Sequence, residues 1–225
     1  MRDFPGSALP RVRIAIIGAG ALGQQVAQHL EQSSHLAVAG FFDDLLNLTQ
    51  PTAHGPILGR IAEIVAAYAA GRFDQLLLGI GYKHLLFRQN LFEQLSSKVP
   101  FAVFVHPSAF VDPSAVLGPG CFISPGCVID LNVKLGPNCF LYPGCVLAHD
   151  AELIGHSFLA PAVHLAGNVL VAARCFLGTS TTVIDGRSLG PDVRTGAGAV
   201  VISDLFVPGT YVGVPASLLS TRKLQ

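Results

Sequence analysis

From Val105 to Val207, every sixth residue is a branched aliphatic one: Val105, Val111, Leu117, Ile123, Ile129 and so on, with Thr195 alone breaking the series. A period of six fits neither the 3.6 of an α-helix nor the 2 of a strand, but it fits a chain that turns a corner every six residues. The other places keep the same time. Counting the aliphatic residue as first, the third place holds Pro107, Pro113, Pro119, Pro125, Pro137, Pro143, Pro161 and Pro191. Proline has a fixed φ and no N–H, so it belongs at corners rather than inside a ladder. The fourth place is rich in Gly, Asn, Asp and Ser, residues that suit tight turns. All five cysteines (Cys121, Cys127, Cys139, Cys145 and Cys175) fall in the fifth, inward place. Three six-residue faces close a triangular coil, and successive coils stack about 4.8 Å apart. The expected fold of this region is a parallel β-helix.

This core accounts for a composition that is 51% hydrophobic and only 12% charged across 225 residues. In a solenoid the inward side chains form one continuous interior. Glycine, proline or a charge interrupts every apolar run before a membrane-spanning length, so no membrane insertion is expected. The Ile14–Ile17 run is too short for a signal peptide. Net charge is zero and there is no basic tract, which argues against nucleic-acid partners. Cys121 and Cys139, like Cys127 and Cys145, lie one coil apart, so a disulfide is possible, but packing as small hydrophobes accounts for all five. Free buried thiols suit a reducing compartment, hence the cytoplasm.

Residues before the repeat read differently. Val12–Ile17 resembles a buried parallel strand, and it runs into Gly18-Ala19-Gly20-Ala21-Leu22-Gly23 and a helical apolar spacing at Leu22, Val26 and Leu30. Further strands are expected at Leu36–Phe42, Leu76–Ile80 and near Phe101–Val105, with helices between them. The expectation is an α/β, Rossmann-like half domain over residues 1–104, followed by the all-β region from 105 to 225. The glycine loop has the G-x-G-x-x-G form in the required strand–loop–helix context, and Asp43, followed by Asp44, stands twenty residues beyond Gly23. Gly18, Ala19, Gly20, Asp43 and Asp44 are therefore candidate nucleotide-binding residues. The chain has room for one mononucleotide half only, which favours a nucleotide-linked sugar over NAD. Gly81, Tyr82 and Arg88, beyond the third strand with Lys83, are placed to reach a base or phosphates.

Within the repeat, His149 stands at a corner place that proline holds in most preceding faces, with Asp150 beside it. An outward imidazole next to a carboxylate is the pairing used in general-base catalysis. The chain here resembles the hexapeptide-repeat nucleotide-sugar acyltransferases, the sialic acid O-acetyltransferase family and related bacterial nucleotide-aminosugar N-acetyltransferases. The resemblance spans nearly the whole sequence. It rests on Ile-Ile-Gly-Ala-Gly at 16–20, Gly40-Phe41-Phe42-Asp43-Asp44, His106-Pro107-Ser108-Ala109, His149-Asp150, Ala166-Gly167-Asn168-Val169, the Gly-Ala-rich 195–201 stretch and Val212-Gly213-Val214-Pro215-Ala216.

The resemblance implies a left-handed β-helix, acetyl-CoA as co-substrate, a nucleotide-linked sugar as acceptor and homotrimers with active sites between subunits. It also implies that His149 is the general base, Asp150 tunes it, and Gly167, Gly196, Ala197 and Gly198 line the acetyl-CoA site. Two departures stand out: Tyr142 and Phe158 occupy positions where many N-acetylating relatives carry Asn and His. The lysine often found before Asp204 is missing, so its phosphate contact to CoA is either absent or taken over by Arg222 or Lys223. No metal is expected. Transfer to nitrogen is the preferred reading, with transfer to a sugar hydroxyl as the alternative. An NAD-dependent oxidoreductase resting on the glycine loop, a zinc enzyme using His149, His156 and His164, and a non-catalytic trimer are the remaining alternatives.

Overall fold

A computed structural model describes residues 11–45 and 51–221. Arg222 and Lys223 lie outside the described residues. The chain divides at Gly79/Ile80 into two compact units. The first contains β1 (Val12–Ile17), α1 (Ala21–Leu30), β2 (Leu36–Phe42), β3 (Ile57–Gly59), α2 (Ile64–Ala69) and β4 (Gln75–Leu78). Its strands form one sheet in the order β3-β2-β1-β4, with every pairing parallel. The fully buried Ile14, Ile16 and Ile17 of the central strand explain its unbroken apolar run, since helix and sheet neighbours remove both faces from water.

The expected fourth strand of this sheet was the one near Phe101–Val105. The structure corrects that expectation. The fourth strand is the three-residue β3, and Phe104–Val105 instead pairs with Phe122–Ile123 to begin the coil. Phe104 points its ring onto Phe122, stacked at 4.6 Å, so aromatic packing within the coil takes this strand away from the sheet.

The second unit begins at Ile80, ahead of the 104/105 position where the hexad count starts, because α3 (Leu85–Ser96) packs on the coil. The coil has three sheets, and paired strands are eighteen residues apart: Phe140–Leu141 lies between Phe122–Ile123 and Phe158–Leu159, for example. The strand containing Phe140 belongs to the first face, that of Val146–Leu147 to the second, and that of Glu152–Leu153 to the third. First and fifth places point inward. Ile129, Leu147, Leu165 and all five cysteines have at most 1% exposure, and the thiols are free. Thr195 fits the core because its hydroxyl is satisfied, at 2.7 Å from Thr181 Oγ1 and accepting from the Gly178 amide at 3.0 Å.

The fourth place turns the corners. From Gly120 to Gly198, every residue in that place has positive φ, including His156 (53°), Ala162 (56°), Arg174 (59°) and Ser180 (55°). Tertiary packing thus holds ordinary residues in a conformation that glycine, asparagine and aspartate adopt at lower cost. The hexad count itself ends early. Arg194 pairs with Thr210 and Thr195 with Tyr211, two residues short of the eighteen kept elsewhere. Leu205 bridges to Leu189 and enters the core, and Tyr211 closes it, leaving Val207 half-exposed instead of inward.

One corner column, Gly120–Asn138–His156–Arg174–Asp192, supports α3. Phe92 packs over Gly120 and sits edge-on to the His156 ring at 5.5 Å. Asn138 donates to His156 Nδ1 at 3.1 Å and accepts from the Arg88 guanidinium at 2.7 Å. Arg174 forms a two-point pair with Asp192 (2.9 and 2.7 Å) and reaches Gln89 at 2.7 Å. On the adjoining first face, Phe104, Phe122, Phe140, Phe158 and Phe176 stack outward as a ladder, continuous with Tyr82 and Tyr142.

Candidate active site

His149 occupies a corner between the second and third faces, and the backbone fixes that corner firmly. The Asp150 amide donates to Leu131 O on the coil before, and the Asn168 amide donates to His149 O from the coil after. The imidazole is half-exposed, as the corner phase requires. Its Nδ1–H donates to Asp150 Oδ2 at 3.0 Å, which leaves the Nε2 lone pair facing outward. Asp150 is held in turn: its Oδ1 accepts from Asn132 Nδ2 at 3.1 Å, one coil away. The Asn132 amide donates to Ser114 Oγ, and that hydroxyl donates to Asp112, so a polar ladder runs down the corner beneath the imidazole. Asp150, by hydrogen bond and charge, and then Asp185 and Asp130 by charge, hold the His149 pKa above its ordinary 6.5. His149 and Asn132 together hold the Asp150 carboxyl below its ordinary value. A shallow hollow of about 290 Å³, lined by Ser114, Val116, Asn132, Lys134, Asp150 and Glu152, adjoins the pair.

Gly167 lies in the same corner column as His149. A Cβ at this residue would stand 2.6 Å from both Cε1 and Nε2 of His149 and 2.8 Å from Asp185 Oδ1. Only glycine leaves that space open. Gly196, Ala197 and Gly198 lie on another corner, between the first and second faces. The structure therefore brings Gly167 to His149 and sets the 196–198 turn at the opposite border of the second face. At Gly198 no atom stands within 4 Å of where a side chain would begin.

In the first unit, the glycines divide the labour of the loop. Gly18 has a φ of 95°, Gly20 caps α1 with open space above it, and a Cβ on Gly23 would collide with Gly18 O at 1.9 Å. Gly20 thus leaves the backbone approachable at a helix N-terminus, where a phosphate is favoured. Asp43 meets the loop directly: its carboxylate accepts from the Ala19 amide at 2.8 Å and from the Leu45 amide at 2.8 Å. Asp44 accepts from the Ile61 amide at 2.9 Å, where it starts the turn leading into α2.

Gly81 and Tyr82 open the turn before α3, and Tyr82 stacks on Phe176 at 4.3 Å while remaining partly exposed. Arg88 requires a correction. It is 1% exposed and donates to Ile80 O and Asn138 Oδ1, so it anchors α3 and has no path to a base or phosphate. Phe158 and Tyr142 belong to the aromatic ladder. Sequence reasoning also passed over Asp185 and Asn132 as site residues. Their signal is a spacing of whole coils, thirty-six residues after His149 and eighteen before Asp150.

The three histidines of the zinc alternative do not converge within the chain. His156 is buried against Asn138, His164 points outward from the second face, and His149 stands at its own corner.

Comparison with known proteins identifies the family. Residues 13–95 match the PglD N-terminal domain. PerB from Caulobacter crescentus, crystallised with CoA and GDP-perosamine, superposes with a TM-score of 0.85 at 30% identity, over 95% of this chain and 99% of that one. The chain belongs to the hexapeptide-repeat nucleotide-aminosugar acetyltransferases. A histidine-to-alanine mutant of GDP-perosamine N-acetyl transferase from the same organism, also with CoA and GDP-perosamine, gives 0.85 at 31% identity, over 95% and 98%. The acetyltransferase domain of PglB from Neisseria gonorrhoeae, in complex with acetyl coenzyme A, gives 0.84 at 25%, over 93% and 100%. No curated protein sequence matches the chain. Membership in this acetyltransferase family displaces the oxidoreductase reading of the glycine loop.

Proposed function

We propose that the chain transfers the acetyl group of acetyl-CoA to the amine of a nucleoside-diphosphate aminosugar, with His149 as general base. The observation that carries this reading is the His149 imidazole, tethered through Nδ1 to Asp150 and presenting Nε2 over the space left by Gly167. The solved relatives, bound to CoA with GDP-perosamine or to acetyl coenzyme A, supply the reactant classes.

A free amine attacks the thioester carbonyl carbon. Its N–C bond forms as one N–H proton passes to Nε2, and collapse of the intermediate breaks the C–S bond. His149 returns the proton to the departing sulfur, so amide and thiol are the products and the base is regenerated. Asp150 keeps the imidazole in the required tautomer and stabilises its protonated form. The acetyl-CoA site runs along the second face, bordered by Gly167 and by Gly196-Ala197-Gly198. The Gly18–Gly20 loop holds the nucleotide phosphates, with Asp43 fixing the loop through the Ala19 amide. Residues 1–104 are the nucleotide-sugar part and residues 105–225 the transferase part.

The active assembly is a homotrimer with its sites between subunits. The exposed Phe110, Val116 and Val128 on the outer faces of the coil favour such association. Among the described residues no helix is long and apolar enough to cross a membrane, and the free thiols favour a cytoplasmic setting.

The test is CoA-thiol release with acetyl-CoA and a panel of nucleoside-diphosphate aminosugars that includes GDP-perosamine, each paired with its hydroxyl counterpart. Release with an aminosugar and an amide product by mass spectrometry is the expected result. Release with no member of the panel removes the proposal.

A further inference from the structure

We infer that Asp185 is the residue that selects an amine acceptor, receiving the acceptor's N–H or ammonium across the Gly167 gap from His149. This rests on the acetyl-transfer reading and goes further, assigning the choice between nitrogen and oxygen to one carboxylate. The missing side chain of Gly167 is flanked on one side by Nε2 of His149 and on the other by Oδ1 of Asp185. That point is itself a bond length from Gly167 Cα, so a ligand group seats just outside it, facing both the base and an anion.

The neighbouring carboxylates are committed elsewhere. Asp150 is held by Asn132 and His149, and Asp130 accepts from the Leu131 amide at 2.8 Å. Among the described residues, no hydrogen bond or ion pair engages the Asp185 carboxylate, and Arg187 reaches only its backbone oxygen. Nor does the turn need an acid here, because the residue with positive φ is Gly186. Asp185 is also among the charges that hold the His149 pKa above its ordinary value, after Asp150.

The chemistry at this gap favours nitrogen. A sugar amine arrives largely as ammonium at neutral pH and gives one proton to solvent before it attacks, and the attacking free amine then gains positive charge as its bond to carbon forms. A carboxylate on the far side of the nitrogen from His149 attracts the first and stabilises the second. It also holds one N–H while another points to Nε2, so the lone pair is aimed rather than left to rotate. A hydroxyl acceptor has one proton, which His149 must take, and leaves nothing for Asp185 to bind.

The test compares the wild-type protein with Asp185→Asn and Asp185→Ala at saturating acetyl-CoA. The substrate is the best aminosugar of the panel, and its hydroxyl counterpart serves as a competitive inhibitor. Loss of a charge-assisted hydrogen bond predicts a drop of about tenfold or more in kcat/KM for the amine. The inhibition constant of the hydroxyl counterpart and the KM for acetyl-CoA should stay within about twofold. Asp185 is exposed, so unchanged thermal melts are expected to show that both variants fold. An active wild type whose amine kinetics Asp185→Asn leaves intact overturns this inference alone, as does an equal loss for amine and hydroxyl ligands. A wild type that acetylates no amine overturns both this inference and the proposed activity.

Discussion

His149 can act as a base only while it is neutral, and its neighbours decide the pH at which that holds. Because Asp150, Asp185 and Asp130 stabilise the protonated ring, its pKa lies above 6.5, and kcat/KM should fall as pH drops through that raised value. Asp150→Asn removes the largest of these influences, so the acidic limb of a pH–rate profile should move to lower pH while the plateau falls. A limb that stays in place would separate Asp150 from the titration. His149→Ala should lower turnover by about 10²- to 10⁴-fold with an unaltered melting curve, since the ring is half-exposed and supports no core. Gly167→Ala should be nearly as damaging, because its methyl group would stand 2.6 Å from the imidazole edge and push the ring aside; assay and circular dichroism together would show an inactive, folded protein. The hexad phase picks out His149 as an outward corner residue with Asp150 beside it, whereas Gly167 entered only through the family resemblance. Asp185 and Asn132 were not legible in the sequence, because each looks like an ordinary turn former until the coils are aligned and the corner column comes into view.

At the scale of elements, the helix α3 shows what periodicity can reveal and what it hides. Phe87, Leu91 and Leu95 mark the helix in the sequence, but Phe87 is half-exposed, and the buried face is Leu85, Arg88, Leu91, Phe92 and Leu95, which puts Arg88 inside. Its charge drew attention to ligands, whereas its position makes it structural. Burial lowers its pKa to about 10, which leaves the guanidinium charged and dependent on Ile80 and Asn138. Arg88→Ala should therefore cost about 3 kcal/mol or more in denaturant unfolding and leave the KM for the sugar nucleotide largely unchanged in whatever stays folded.

His156, on the same corner column, is pushed down to about 4, chiefly by burial, with Glu93 opposing and Arg88 and Arg174 assisting. Between that value and 6.5 the unfolded chain binds a proton that the folded one refuses, so this residue's contribution to stability declines as pH falls through that window. Melting temperatures of the wild type and His156→Gln across pH 4–6.5 would show the variant as the less pH-dependent of the two. The strand Ile57–Gly59 escaped detection because three residues carry no alternation to read. The shortened last coil escaped because Leu205 and Val207 are both aliphatic, and only pairing with Leu189 distinguishes the inward one.

For the molecule as a whole, the repeat made the coil legible residue by residue, since six-fold periodicity, corner prolines and inward cysteines all point to one architecture. The glycine loop likewise announced its strand–loop–helix unit. What a single chain's sequence does not encode locally is the set of contacts made across coils, and those contacts assemble the site. If the sites form between subunits as proposed, specific activity should fall on dilution below the trimer's dissociation range, and sedimentation measured over the same concentrations should follow it. The five cysteines also have a practical consequence. Each thiol is sealed inside the coil, with no exposed surface, so a maleimide or a chromogenic disulfide reagent should find nothing to modify until coils separate. Labelling kinetics under native conditions would then clock the rate at which the solenoid breathes open, and the order in which Cys121 through Cys175 react would show which end unzips first.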